Sequence, residues 1–107
     1  MQNKHDDMVD SIRRSPHHVG IENHLASTGE VIFWQGANYV TSPDSLIFTT
    51  SRELYVVEYK SNDKRRQYDM RQLNRHMLHT GRLFSNFEVT GLYVHGKRLD
   101  RLEVEEI

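Results

Sequence analysis

The sequence predicts a single α/β domain: a mixed sheet of four to five strands flanked by helices, in the order α-β-β-β-α-β. Three observations predict it. The octapeptide Glu53–Lys60 (ELYVVEYK) is dense in β-branched and aromatic residues, the composition that suits a pleated, half-buried surface. A second such run, Asp44–Thr49, is joined to it by only Thr50-Ser51-Arg52, so the two pair antiparallel. After Lys60 comes a stretch of helical period and then another apolar run, Phe87–Gly96. Strand, helix, strand is a crossover unit, which favours parallel pairing.

Composition bounds the rest. The chain has 107 residues, the size of one domain with one core. Residues 1–15 are expected to be weakly ordered, with at most a helical turn around Met8, Val9 and Ile12. With no cysteine, disulfides, Cys-ligated zinc and thiol catalysis are excluded. No apolar run approaches the ~20 residues that cross a bilayer. Met1–Asp10 is polar and lacks the apolar stretch of a secretory signal, so the expected location is the cytoplasm. The formal net charge of −1 conceals an asymmetry. Lys64 to Arg82 is basic, with Asp69 its only acid, whereas Leu99–Ile107 is acidic.

Along the chain, Pro16 suits a helix start. A short helix is expected through Val19, Ile21, Glu22 and Leu25, ended by Gly29. Glu30 to Val40 reads as the first strand, with a bend at Gly36. Asp44–Thr49 and Glu53–Lys60 are the second and third. Ser61-Asn62-Asp63 is rich in N-capping residues, so a helix is expected from about Lys64 to Thr80, stopped by Gly81. At 100° per residue Met70, Leu73, Met77 and Leu78 form its apolar face, flanked by Gln67 and Asn74. Arg71, Gln72, Arg75 and His79 lie away from that face. Phe87–Gly96 is the fourth strand, and Leu99–Ile107 alternates well enough to add an edge strand.

The chemistry is concentrated at Pro43-Asp44 and Glu58-Tyr59-Lys60. Side chains alternate along a strand, so Glu58 and Lys60 share a face with Val56. If the turn centres near Ser51, Asp44 lies opposite Glu58. If it centres half a residue earlier, Asp44 is one step away, and a full one-residue slip sends it to the other face. Opposed carboxylates repel, and a divalent cation with oxygen ligands relieves the repulsion.

This arrangement resembles the PD-(D/E)xK nuclease superfamily, which includes restriction endonucleases and Holliday junction resolvases. Its motif is a proline–aspartate at the start of one strand, then an acid, any residue and a lysine on the next. Here the two acids are separated by 13 residues, and the element order matches over roughly residues 19–96. The resemblance implies a restriction endonuclease-like core. It also implies an Mg²⁺- or Mn²⁺-dependent phosphodiesterase, an endonuclease acting on DNA rather than RNA, with branched or junction DNA as one option. Asp44, Glu58 and the Tyr59 backbone carbonyl would ligate the metal. Lys60 would orient or help deprotonate the attacking water and stabilise charge on the phosphate. The superfamily often adds an acid from its first helix, for which Glu22 is the candidate. Some relatives add a glutamine from the helix after the lysine, for which Gln67 is the candidate.

Lys64, Arg65, Arg66, Arg71 and Arg75 are the candidates for phosphate contact, which positions a nucleic acid without reading its sequence. Substrate choice would come from shape, a partner or dimerisation, since small relatives act as homodimers. Compactness without appended domains suits a phage or mobile element. The seven histidines include the pair His76/His79, but no third ligand follows at a recognised spacing, and each histidine is expected to face solvent or DNA. Two other readings compete: a catalytically inactive nucleic-acid-binding or assembly subunit with the same fold, and a small interaction domain in which the motif is accidental.

Overall fold

The computed structural model describes residues 3–107. It is an α/β fold with two α-helices, a mixed five-stranded sheet and a separate two-stranded hairpin. The elements are α1 (Lys4–Arg14), β1 (His24–Ser27), β2 (Phe33–Gln35), β3 (Asn38–Thr41), β4 (Ser45–Thr49), β5 (Glu53–Lys60), α2 (Arg66–Leu83), β6 (Glu88–His95) and β7 (Glu103–Glu106). Short 3-10 turns at Pro16–Val19 and Leu99–Arg101 complete the chain.

The sheet order is β1-β4-β5-β6-β7. β4 pairs antiparallel with both β1 and β5, β5 and β6 are parallel across the α2 crossover, and β7 returns antiparallel along β6. The two central strands are covered on both faces, so Val56, Val57, Tyr93 and Val94 are fully buried and β5 reads as a nearly continuous apolar run. α1 covers one face, setting Val9 and Ile12 against Ile47, Val57, Tyr59, Leu92 and Val94. α2 covers the other, setting Leu73 against Leu46, Leu54, Val56 and Tyr93.

Several expectations are corrected. Lys4–Arg14, expected to be weakly ordered, is an α-helix of 11 residues. Asn3 caps it by accepting the Asp6 N–H at 2.8 Å. Asp6 and Asp7 in its first turn and Arg13 and Arg14 in its last complement the helix dipole. The helix expected around Val19 to Leu25 is only a single 3-10 turn, and His24–Ser27 is an edge strand instead. Glu30 to Val40 is not a strand of the main sheet. It folds on itself as β2 and β3 about Gly36, whose φ of +61° is the left-handed conformation that glycine adopts freely. Gly81 does not stop α2, which runs on to Leu83.

Gly91 on β6 is where α2 approaches most closely. A Cβ there would lie 2.5 Å from Met77 Sδ and 3.2 Å from Leu73 Cγ. Gly91→Ala is therefore expected to destabilise the fold by about 1–3 kcal/mol through overpacking. The check is a lower urea midpoint with an unchanged m-value.

Candidate active site

The site lies at the end of the sheet formed by the start of β4 and the end of β5. β4 and β5 pair Ser45 with Val57 and Leu46 with Val56. One further step sets Asp44 opposite Glu58, the register expected from a turn centred at Ser51. At that point the backbone ladder gives way to a side chain: the Tyr59 N–H donates to Asp44 Oδ2 at 2.8 Å. The Pro43 carbonyl accepts from the Val31 N–H instead, at 3.2 Å. Asp44 thus caps the β5 ladder as well as facing Glu58.

Glu58 and Lys60 lie on the α2 face of β5, where two polar side chains of that helix, His76 and Asp69, meet them. His76 Nε2 is 3.2 Å from Glu58 Oε2, and its Nδ1 is hydrogen-bonded to the Thr41 hydroxyl at the end of β3. Burial lowers the His76 pKa, with Asp44 opposing, so the ring is neutral. One ring nitrogen then donates and the other accepts, so Glu58 and Thr41 hold opposite roles in the bonds to it. Lys60 Nζ stands 4.0 Å from Asp69 Oδ1, and Tyr93 Oη donates to Asp69 Oδ2 at 3.0 Å. Asp69 and His76, buried at 3% and 4% exposure, are held by partners rather than solvated.

From the other face α1 contributes His5. Its Nε2 lies 3.1 Å from the Tyr59 carbonyl and 3.4 Å from Asp44 Oδ2, and its ring packs 5.5 Å from that of Tyr59. The hydrogen bond to Asp44 raises the His5 pKa to about 9, so the ring is a cation at neutral pH. Burial disfavours ionisation of Asp44, but bonds from His5, from the Glu58 carboxyl and from the Tyr59 N–H hold its pKa below the ordinary value. Glu58 goes the other way. Burial, and then the Asp44 carboxyl beside it, push it up to about 9 against the pull of Lys60. Asp44 is thus favoured as the ionised acid and Glu58 as the neutral one, the split expected of two carboxyls opposed in one buried site.

These groups open onto a cavity of about 510 Å³ whose walls include Tyr39, Asp44, Glu58, Lys60, Gln72 and Arg75. The donor set suits a hard divalent cation: two carboxylates and, at the strand end, a backbone carbonyl, all oxygen. Among the described residues no three His, Cys, Asp or Glu side chains converge as a ready metal group.

The auxiliary residues fall differently from expectation. Glu22 is not on a helix but on the exposed loop before β1. His24 pairs with Thr49, and Asn23 bonds Thr50 and Ser51, so Glu22 lies at the opposite end of the sheet from Asp44. Gln67 is exposed, whereas Gln72, placed away from the apolar face, lines the cavity. The cause is the phase of α2. Its buried stripe is Asp69, Leu73, His76 and Thr80, rotated by roughly a sixth of a turn from Met70, Leu73 and Met77, while Leu78 is 54% exposed. His76 therefore does not face solvent. The signal for it was present: positions 69, 73, 76 and 80 are spaced 4, 3, 4, the heptad rhythm of a buried helical seam, carried here partly by polar residues.

The basic residues are dispersed. Arg66 is bonded through Nε and Nη2 to Glu105 on β7, and Arg65 stacks 4.3 Å over the Tyr68 ring. Lys64 and Arg71 are exposed. Arg75 donates to the Val40 carbonyl at 3.2 Å and borders the cavity.

No family model, curated protein or solved structure matches this chain significantly. No helix among the described residues is long and apolar enough to cross a membrane.

Proposed function

We propose that the protein is a metal-dependent nuclease of the PD-(D/E)xK type, an endonuclease acting on DNA. The observation that carries this reading is the meeting of Asp44 and Glu58 across the β4–β5 hairpin, with Lys60 on the same face as Glu58. The order of elements supports it. With the β2–β3 hairpin set aside, α1-β1-β4-β5-α2-β6 follows the superfamily core, including the parallel β5–β6 pair.

Asp44 and Glu58 would hold Mg²⁺ or Mn²⁺, with the Tyr59 carbonyl as a third oxygen. When bound, such an ion lowers the pKa of its water and stabilises charge developing on a phosphoryl oxygen. The chain's own groups prepare the site. His76 and Thr41 fix the Glu58 carboxyl, and the Tyr59 N–H fixes that of Asp44. Asp69, itself fastened by Tyr93, keeps the Lys60 ammonium over the cavity, where a fixed cation can meet the phosphate. Arg75 at the cavity wall is the basic residue placed to contact a phosphate. Arg66 is occupied by Glu105.

The test is cleavage of supercoiled plasmid, single strands and a four-way junction in Mg²⁺, Mn²⁺ or EDTA. Cutting that needs a metal and ceases in EDTA is the expected result. If no substrate is cut with either ion, yet nucleic acid still binds, the chain is a binding or assembly subunit.

A further inference from the structure

The β2–β3 hairpin carries two large aromatic residues in water. Trp34 and Tyr39 pair across it, their ring centroids 6.2 Å apart and nearly perpendicular, and they are 59% and 58% exposed. Ile32 beside them is 48% exposed. Of the three residues of β2 only Phe33 serves the core. Scattered apolar residues on a surface need no explanation, whereas a contiguous aromatic patch does.

The patch is held in a fixed place. Phe33 anchors β2 in the α2-side core, while Thr41 bonds His76 and Val40 accepts from Arg75. Tyr39 is also part of the wall of the cavity that holds Asp44, Glu58 and Lys60. Its hydroxyl is bonded to Ser42 at 3.0 Å, two residues before Asp44. An exposed aromatic surface therefore leads directly to the carboxylate pair, with the Arg75 guanidinium beside it.

We infer that Trp34 and Tyr39 form a stacking platform for an unpaired nucleobase flanking the scissile phosphate, so that the substrate is nucleic acid with single-stranded character. This rests on the nuclease reading. The chemistry is that of single-strand binders, which pair aromatic stacking surfaces with cations that follow the backbone. In a duplex both faces of each internal base are covered by its neighbours, so only an unpaired or terminal base can stack on a side chain. The neighbouring cation accounts for a nucleic acid rather than an apolar partner.

Trp34 is the only tryptophan, so intrinsic fluorescence reports this position alone. The experiment titrates the full chain with a labelled single strand and with a blunt duplex, in EDTA and again in Ca²⁺, following both Trp34 emission and anisotropy of the label. Quenching by the single strand, with much weaker quenching by the duplex, is expected. Trp34→Ala and Tyr39→Ala should each weaken single-strand binding by about 5- to 150-fold. Trp34→Phe, which keeps a stacking face, should restore most of it. Both side chains are exposed, so folding should change little.

The inference is overturned if DNA binds without quenching, if the duplex quenches equally, or if Trp34→Ala binds like the wild type. It is also overturned if sedimentation shows a dimer that Trp34→Ala dissolves, because the patch is then covered by a second copy. Metal-dependent cutting without quenching would remove this inference and leave the nuclease reading standing. Quenching without cutting would remove the nuclease reading and with it the scissile phosphate that this inference sets beside the platform, leaving only a surface that binds single strands. Absence of any nucleic-acid binding would remove both.

Discussion

Glu58→Gln is expected to lower metal-dependent cleavage by about 10²–10³-fold, the scale for removing one preorganised electrostatic group, without loss of the fold. The separation of the two effects follows from the site's charge. Without a cation, Glu58 is already driven to its neutral form by burial and by Asp44, and glutamine has the size and neutrality of that form. Its amide can still bond His76 Nε2, as donor or acceptor. What it loses is the anionic oxygen that a cation needs. Lys60→Ala should reduce cleavage on a similar scale for a different reason. The ammonium stands at the cavity wall, where, on the proposed reaction, negative charge would grow on the phosphate. Its removal leaves Asp69 the Tyr93 hydroxyl as a partner, so the fold should survive. The measurement is single-turnover cleavage of the preferred substrate by wild type and both variants, purified identically, beside their thermal unfolding. Variants that cut as fast as the wild type would remove Asp44, Glu58 and Lys60 as the reaction centre.

Divalent-cation affinity is expected to rise by about tenfold for each pH unit between 7 and 9, per proton displaced. A cation must displace the proton from Glu58, whose pKa near 9 leaves it protonated at neutral pH. If the Tyr59 carbonyl becomes a ligand, His5 must also give up its bond there. Calorimetry in buffers of different ionisation enthalpy would count the protons released. Glu58→Gln should lose both the affinity and the proton.

The same groups set the stability of the cation-free protein. Glu58 and His5 both have pKa values raised on folding, to about 9. The stability they contribute is complete below their unfolded values of 4.5 and 6.5 and is lost as pH rises through 9. Asp44, held below its ordinary value, acts oppositely: its contribution is present above the unfolded value and lost only on acidification below it. In EDTA the protein should therefore melt at a lower temperature at pH 9 than at pH 6, with the fall reduced in Glu58→Gln and opposed by added Mg²⁺. A flat or rising profile would show that Glu58 is not held neutral beside Asp44.

What local sequence determined here is what local forces govern. The bounds of β5 and β6 follow from dense β-branched and aromatic runs, and burial of both faces makes that signal continuous. The short turn between β4 and β5 determined that the two strands pair antiparallel but left the register open, and the structure selects the one that carries Asp44 opposite Glu58. The edge strand β7 was legible from alternation. The tertiary structure alone decided where composition was mute or misleading. His24–Ser27 is a strand because β4 offers it hydrogen bonds, although three of its four residues face solvent. α1 is held by docking Val9 and Ile12 on the sheet, which short helices need because propensity alone is weak. That docking brings His5 to Asp44, across a separation in sequence that no local pattern spans. Asp69 and His76 are buried because Tyr93, Lys60, Glu58 and Thr41 supply their partners. A polar side chain can be buried once its bonds are met, and those partners come from other elements of the fold.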